Sequence, residues 1–76
     1  MSAPTYVLND RTLTQATLVG REATFRATAD DMSWALMRLG QYVHGTKNGQ
    51  PVRCYVYSVT GNAVDGNVIT LLVETP

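Results

Sequence analysis

The spacing of apolar residues changes along this chain, from alternation in most segments to a helical period in one. Between Thr28 and Gly45 the apolar residues recur at i, i+3, i+4 and i+7, and they are Met32, Ala35, Leu36, Leu39 and Val43. Thr28 is a suitable N-cap, and Asp31 three residues later completes a shortened capping box. Gly45 suits the left-handed position that follows a helix. The pattern therefore predicts a helix over residues 28–45.

Three segments before this helix favour extended structure. A short strand is predicted at Thr5–Leu8, followed by a turn at Asn9-Asp10. The stretch Thr12–Val19 is rich in residues that favour strands, and Glu22–Ala27 alternates clearly. Gly20-Arg21 lies between these two segments, so they form a predicted hairpin.

Two further strands are predicted after the helix. Residues Gly45–Pro51 read as a loop that bends at Asn48-Gly49. The strand Val52–Thr60 follows, and Asp65-Gly66 is a hairpin signal before a last strand at Asn67–Thr75. In the first of these strands one face carries Val52, Cys54 and Val56, and the other carries Arg53, Tyr55, Tyr57 and Val59.

This element order predicts an α+β fold in a single domain spanning residues 1–76. We expect an antiparallel four- to five-stranded sheet with a single helix packed on one face, in the order ββ(β)αββ. The last strand has apolar residues on both faces, with Ile69, Leu71 and Val73 opposite Val68 and Leu72. The helix covers only one face, so a partner chain is the expected cover for the other.

The composition limits the classes of partner. Only 16 % of the residues are charged, and six acidic residues balance six basic ones. A neutral chain is poorly suited to neutralising phosphates, so nucleic acid is an unlikely partner, and a polybasic membrane anchor is equally disfavoured. With no apolar N-terminal stretch and one cysteine, we expect a cytoplasmic protein.

The helix contains one candidate binding surface. Trp34 lies about 160° from the centre of the apolar stripe on a wheel of 100° per residue, beside Met37, Arg38 and Gln41. Trp, Met and Arg are enriched at protein interfaces and their hot spots. These four residues are predicted to bind a partner. The alternative is that Trp34 folds back into the core, as tryptophan commonly does.

The second candidate surface is the sheet face with Arg53, Tyr55 and Tyr57. Exposed aromatic side chains on a sheet can anchor a protein partner, or can stack on the bases of single-stranded nucleic acid. Cross-strand packing of the tyrosines is the plainer alternative to base stacking.

No catalytic, cofactor or metal motif is present. The chain has one histidine, His44, and one cysteine, Cys54, so no ordinary metal site containing several of these ligands can be composed. Cys54 lies in an apolar run and is expected to be a small buried hydrophobe. His44 is expected near the helix C-terminus, where it complements the helix dipole. We therefore predict a protein that is not an enzyme and holds no cofactor.

The run from Glu22 to Asp31 steps from a strand into a capped helix, and two strands at Val52–Thr60 and Asn67–Thr75 end the chain. This layout resembles that of several small anti-CRISPR proteins of phages and mobile elements. The resemblance implies a phage-encoded inhibitor in the host cytoplasm that occludes the surface of a CRISPR-type complex. Many members of that group are acidic nucleic-acid mimics, whereas this chain is neutral, so a blocker of a protein surface is the implied activity.

The leading hypothesis is thus a non-enzymatic protein-binding module, acting as an inhibitor of a bacterial defence complex. Two alternatives remain. One is a homodimeric structural or assembly protein that buries its second sheet face against its own copy. The other is a single-stranded nucleic-acid binder that uses Arg53, Tyr55 and Tyr57.

Overall fold

The structure, a computed structural model, describes residues 3–62 and 66–74. This part of the chain forms β1 (Thr5–Leu8), β2 (Arg11–Val19), β3 (Glu22–Arg26), α1 (Ala29–Leu36), β4 (Tyr42–Lys47), β5 (Gln50–Asn62) and β6 (Gly66–Glu74). The six strands close into an antiparallel barrel in the order β1-β2-β3-β6-β5-β4.

The barrel consists of two three-stranded meanders, β1-β2-β3 and β4-β5-β6. Their first strands pair with each other, with Leu8 opposite Gly45, and their third strands pair likewise, with Phe25 opposite Ile69. Both junctions are antiparallel. The two meanders are therefore related by an approximate two-fold axis. Each edge strand of one meander pairs with the corresponding edge strand of the other.

The predicted fold class is wrong. An α+β sheet of four to five strands with a helix on one face would be open, whereas this sheet has six strands and is closed. The difference arises at β4, whose residues the sequence interpretation divided between the helix and the loop that follows it. Once β4 exists, β1 has a second neighbour and the sheet closes.

Because residues alternate between the two faces of each strand, every second side chain points inward, and these side chains fill the barrel. The buried apolar residues are Tyr6, Leu8, Leu13, Ala23, Phe25, Trp34, Ala35, Val43, Val52, Cys54, Val56, Ile69 and Leu71. The rings of Tyr6 and Phe25 meet edge to face, with centroids 4.9 Å apart. The buried Tyr6 hydroxyl donates a hydrogen bond to Gln15 Oε1 at 2.8 Å, so its polar group is satisfied.

Closure of the barrel, and not the helix alone, covers the inner apolar face of the last strand. In a barrel one face of every strand points inward, so Ile69 and Leu71 are enclosed by the chain itself. Val68 and Leu72 belong to the outer face and are half-buried. That a partner chain covers this outer face stays a prediction.

The helix begins where it was predicted but ends much earlier. The Thr28 hydroxyl accepts from the Asp31 N–H at 3.1 Å, and Asp31 Oδ2 accepts from the Thr28 N–H at 3.0 Å. This capping box confirms the predicted N-terminus. The predicted extension to residue 45 is wrong, since α1 ends at Leu36.

The error lies in the predicted apolar stripe. Leu36 and Leu39 are exposed, while Val43 is buried as a strand residue between exposed Tyr42 and His44. Apolar residues spaced three or four apart fit a helix, but the short alternation around Val43 fits a strand. The glycine with a positive φ after the helix is Gly40, at 79°, and not Gly45. His44 accordingly lies in β4 and not at the helix end.

Most of the predicted strands and turns are confirmed. Asn9 and Asp10 have φ of 47° and 68°, and Asn48 and Gly49 have φ of 50° and 83°, the paired positive values of tight hairpin turns. Gly20, at 62°, turns β2 into β3. The predicted loop at 45–51 is only the turn at Asn48-Gly49, and Asp65 lies outside the described residues.

The helix connects β3 to β4, which are not neighbours in the barrel, and it packs against β6 and β5, the strands between them. The Ala27 N–H donates to the Asn67 carbonyl at 2.9 Å at the start of this crossing. Arg11 at the start of β2 pairs with Asp31 at 2.5 Å. Trp34 and Ala35 extend the barrel core. The helix is thus attached at the end of the barrel where β3 finishes.

The charge of Asp31 is stabilised in the folded chain. Burial raises the pKa of its carboxyl, but hydrogen bonds from the Thr28 N–H and from Arg11 outweigh that effect and hold the pKa below its usual range. A carboxylate with a lowered folded pKa stabilises the fold above its unfolded pKa, and that contribution is lost as the pH falls through the folded value.

We expect Asp31→Asn to lower the free energy of unfolding by about 1–2 kcal/mol at neutral pH, because the charged hydrogen bonds are lost. The difference from the native chain should shrink as the pH falls below about 4, where the native carboxyl also becomes protonated. Urea unfolding at several pH values measures both effects. Asp30→Asn, at an exposed neighbouring position, is the matched control, and an equal loss in both variants would contradict the role of Asp31.

Candidate functional site

The four residues predicted on one helix face do not share a surface. Trp34 is only 8 % exposed and belongs to the core, as the alternative interpretation had it. Arg38 donates to the Trp34 carbonyl at 3.0 Å, and its guanidinium carbon lies 4.9 Å from the centre of the Trp34 ring. Met37 and Gln41 are exposed. Only these last two present their side chains freely to a partner.

The sheet residues Arg53, Tyr55 and Tyr57 do lie on the outside of β5. Tyr55 is half-buried and Tyr57 is exposed. Tyr57 is the extra residue of a β-bulge between Val56 and Ser58. The bulge changes the alternation by one position, so Val59, which was predicted on the tyrosine face, instead packs against the core.

Arg53 is held in place by two neighbours. Its Nη2 donates to Glu74 Oε1 at 3.1 Å, and its guanidinium carbon lies 4.8 Å from the centre of the Tyr42 ring. The hydrogen bond from Arg53 lowers the pKa of the Glu74 carboxyl. Arg53 is therefore a positioned side chain whose charge is largely balanced within the chain.

Tyr42 is the residue that the sequence interpretation missed. It lies opposite Tyr55 across β4 and β5, and the two ring centroids are 5.2 Å apart at an interplanar angle of 64°. The available signal was the alternation of Tyr42, Val43 and His44, but it spans only three residues. Recognising β4 would have placed Tyr42 beside Tyr55.

The structure joins the turn after the helix to the tyrosines of β5. The Gly40 N–H donates to the Val56 carbonyl and the Val56 N–H donates to the Gln41 carbonyl, both at 2.9 Å. A Cβ placed on Gly40 would lie 3.8 Å from the Tyr55 hydroxyl. These contacts place Gln41, from the predicted helix surface, next to the strand that carries the predicted sheet surface.

We call this combined region the aromatic surface, and it comprises Leu36, Met37, Leu39, Tyr42, Tyr55 and Tyr57. Met37 is 77 % exposed, and Leu36, Leu39, Tyr42 and Tyr57 are each about half exposed. Large apolar side chains exposed at the end of a helix and on the strands that follow it can mark a functional surface. The aromatic surface is the strongest candidate for a functional site.

Two side chains of the core that can act as nucleophiles when deprotonated, Cys54 and Tyr6, are fully buried. Burial raises the pKa of the Cys54 thiol to about 11 and that of the Tyr6 hydroxyl to about 12, so both are protonated at neutral pH. Within residues 3–62 and 66–74, no three histidine, cysteine or acidic side chains are grouped as metal ligands. Nor does the described part contain a helix long and apolar enough to cross a membrane.

A pocket of about 280 Å³ lies elsewhere, beside the register shift in β2. Its lining consists of Ala16, Thr17, Thr24, Phe25, Arg26 and Val68. The hydroxyls of Thr17 and Thr24 are hydrogen-bonded to each other. The lining contains one cation but no general base beside a nucleophile, so it does not form a recognisable catalytic set.

No family model, curated protein or solved structure matches this chain. Functional residues can therefore be assigned only from the chemistry and geometry of the chain itself. On those grounds the aromatic surface is the region to which a function is best attached.

Proposed function

We propose that this chain is a non-enzymatic protein-binding module that contacts its partner through the aromatic surface. The observation that carries the proposal is the exposure of Met37 just after the helix and of Tyr42 and Tyr57 on the paired strands β4 and β5, which the turn at Gly40-Gln41 contacts. Large apolar and aromatic side chains left in water cost free energy that a partner can recover.

The residue types and their setting support a protein partner. Tyr, Met and Arg are enriched at protein interfaces, and tyrosine loses little conformational entropy when it is buried there. Tyr42 and Tyr55 pack on each other, and Arg53 is fixed between Tyr42 and Glu74. A surface whose side chains are ordered before binding loses less entropy on association.

The nucleic-acid alternative has weaker support. Base stacking on Tyr55 and Tyr57 would need nearby cations that are free to contact phosphates. Arg53, the cation on that strand, instead donates to Glu74. The chain as a whole has no net positive charge.

For the target, the resemblance to small anti-CRISPR proteins remains a prediction, and we propose a bacterial CRISPR-type complex whose surface the module occludes. A neutral, tyrosine-rich surface fits contact with a protein face better than imitation of a nucleic acid.

Plasmid interference tests this proposal. In strains that each carry one type of active CRISPR system, the chain should restore transformation by a targeted plasmid in at least one strain. The double variant Tyr42→Ala/Tyr57→Ala should lose affinity by about thirtyfold or more, equivalent to about 2 kcal/mol, and should fail to restore transformation.

Val19→Ala is the matched control, since Val19 is exposed in the β2–β3 hairpin, away from the aromatic surface. It should restore transformation as the native chain does. Failure of the native chain in every strain would overturn the inhibitor proposal. An undiminished effect of the double variant would overturn the assignment to the aromatic surface.

A further inference from the structure

The aromatic surface is large enough for a self-contact. With about 200 Å² as the full area of a large side chain, its five most exposed residues present roughly 550 Å² of surface to water. That area approaches the upper end of about 300–600 Å² for the largest apolar patch on a monomer. A standard interface buries about 800 Å² per partner and a weak one less than about 600 Å², so this surface suits a weak contact.

The charges around this surface suit contact between identical copies. Identical surfaces repel each other when they carry one sign of charge, but none of the six residues of the aromatic surface is charged at neutral pH. At its border Arg53 is paired with Glu74, and Arg38 lies against the Trp34 ring. The aromatic surface itself therefore carries no charge that would select an acidic or a basic partner.

The side chains themselves are self-complementary. A tyrosine hydroxyl both donates and accepts hydrogen bonds, so Tyr42 and Tyr57 can pair with the same residues of another copy. The thioether of Met37 is flexible and polarisable, which allows it to fill gaps against an aromatic ring. A two-fold axis places the same patch on both sides of such an interface.

From these observations we infer that a second copy of this chain covers the aromatic surface in solution, across a two-fold axis. The inference concerns the same surface as the proposed function but does not depend on the target named there. Because the area is at the lower limit for a stable interface, the dimer is weak, with a Kd of about 10–100 µM. Binding of another protein at this surface then competes with the second copy.

Sedimentation equilibrium of the purified full chain, with no other protein present, tests the inference. Between about 5 µM and 1 mM, concentrations that bracket such a Kd, the average mass should rise from 8.3 kDa towards twice that value. The rise should persist at high salt, since the contact is apolar. A native chain that remains a monomer at the highest concentration overturns the inference and leaves the surface to a different protein.

Met37→Lys locates the interface. It places a cation on the aromatic surface, where the second copy would bury it, and should raise the Kd about tenfold or more. The new lysine suits a helix C-terminus, so the fold should be retained, and circular dichroism checks this.

Val19→Lys is the matched control, since Val19 is 73 % exposed, close to the exposure of Met37. It should dimerise as the native chain does. A dimer that withstands Met37→Lys, or that weakens equally with Val19→Lys, overturns the placement of the second copy on the aromatic surface. Because no target is involved, these results are independent of the plasmid-interference test.

Discussion

Gly45→Ala is expected to destabilise the chain by about 3 kcal/mol or more, enough to unfold much of a small domain. Gly45 lies opposite Leu8 where β4 meets β1, the junction that closes the barrel. A Cβ at this position would overlap the Val7 carbonyl oxygen and lie 2.8 Å from the Val7 carbonyl carbon. These are backbone atoms, so the clash is relieved only if the two strands separate.

Gly20→Ala provides the comparison for this prediction. Gly20 has a φ of 62°, but no heavy atom would lie within 4 Å of its added Cβ. The cost there is backbone strain alone, about 1 kcal/mol. Urea unfolding of both variants measures the difference. A similar loss in the two variants would mean that Gly45 is needed only for its conformation, as at the end of a helix, and would contradict the close approach of β1 and β4.

The pairing of Gly45 with Leu8 shows why the strands could be predicted from the sequence and the closed barrel could not. Strands β1, β2, β3, β5 and β6 have local signals: alternation within each strand and Gly or Asn at the turns. The capping box at Thr28 and Asp31 is local as well. Closure depends on pairings between distant segments, such as Leu8 with Gly45, which leave no pattern in either segment alone.

The boundary between α1 and β4 is where local signals conflict. Residues 28–36 carry an N-cap and form the helix, but the apolar spacing continues through Leu39 and Val43. Helical spacing over a long window outweighed a three-residue alternation in the sequence interpretation. That one error removed β4, left β1 without its second neighbour, and changed a barrel into an open sheet.

The candidate site was predictable to the extent that it lies on one strand. Arg53, Tyr55 and Tyr57 share the outer face of β5, as alternation predicted, although the bulge at Tyr57 has no sequence signal. Tyr42 could not be placed beside Tyr55 without β4. Trp34 was predicted to be exposed because it lies opposite the apolar stripe on the helical wheel. Two members of that stripe, Leu36 and Leu39, are themselves exposed, so the stripe does not mark the buried side of the helix.

Trp34→Ala is the second variant with a large expected effect, a loss of about 3–5 kcal/mol in the free energy of unfolding. Trp34 is buried and belongs to the core cluster, and the guanidinium of Arg38 lies against its ring. The substitution leaves a cavity where the helix meets the barrel. This expectation reverses the sequence interpretation of Trp34 as a partner-binding residue, for which the variant would fold normally and bind its partner more weakly.

Two further variants separate packing from the other roles of Trp34. Trp34 Nε1 is buried and has no hydrogen-bond partner among the described residues. Trp34→Phe removes this unsatisfied donor and keeps an aromatic ring, so its loss should stay below about 1.5 kcal/mol. Met37→Ala, at an exposed site three residues away, should cost less than about 0.5 kcal/mol. Urea unfolding ranks the three variants. If Trp34→Ala kept native stability but bound a partner more weakly, Trp34 would have to be an exposed binding residue, because a buried tryptophan cannot be removed without destabilising the core.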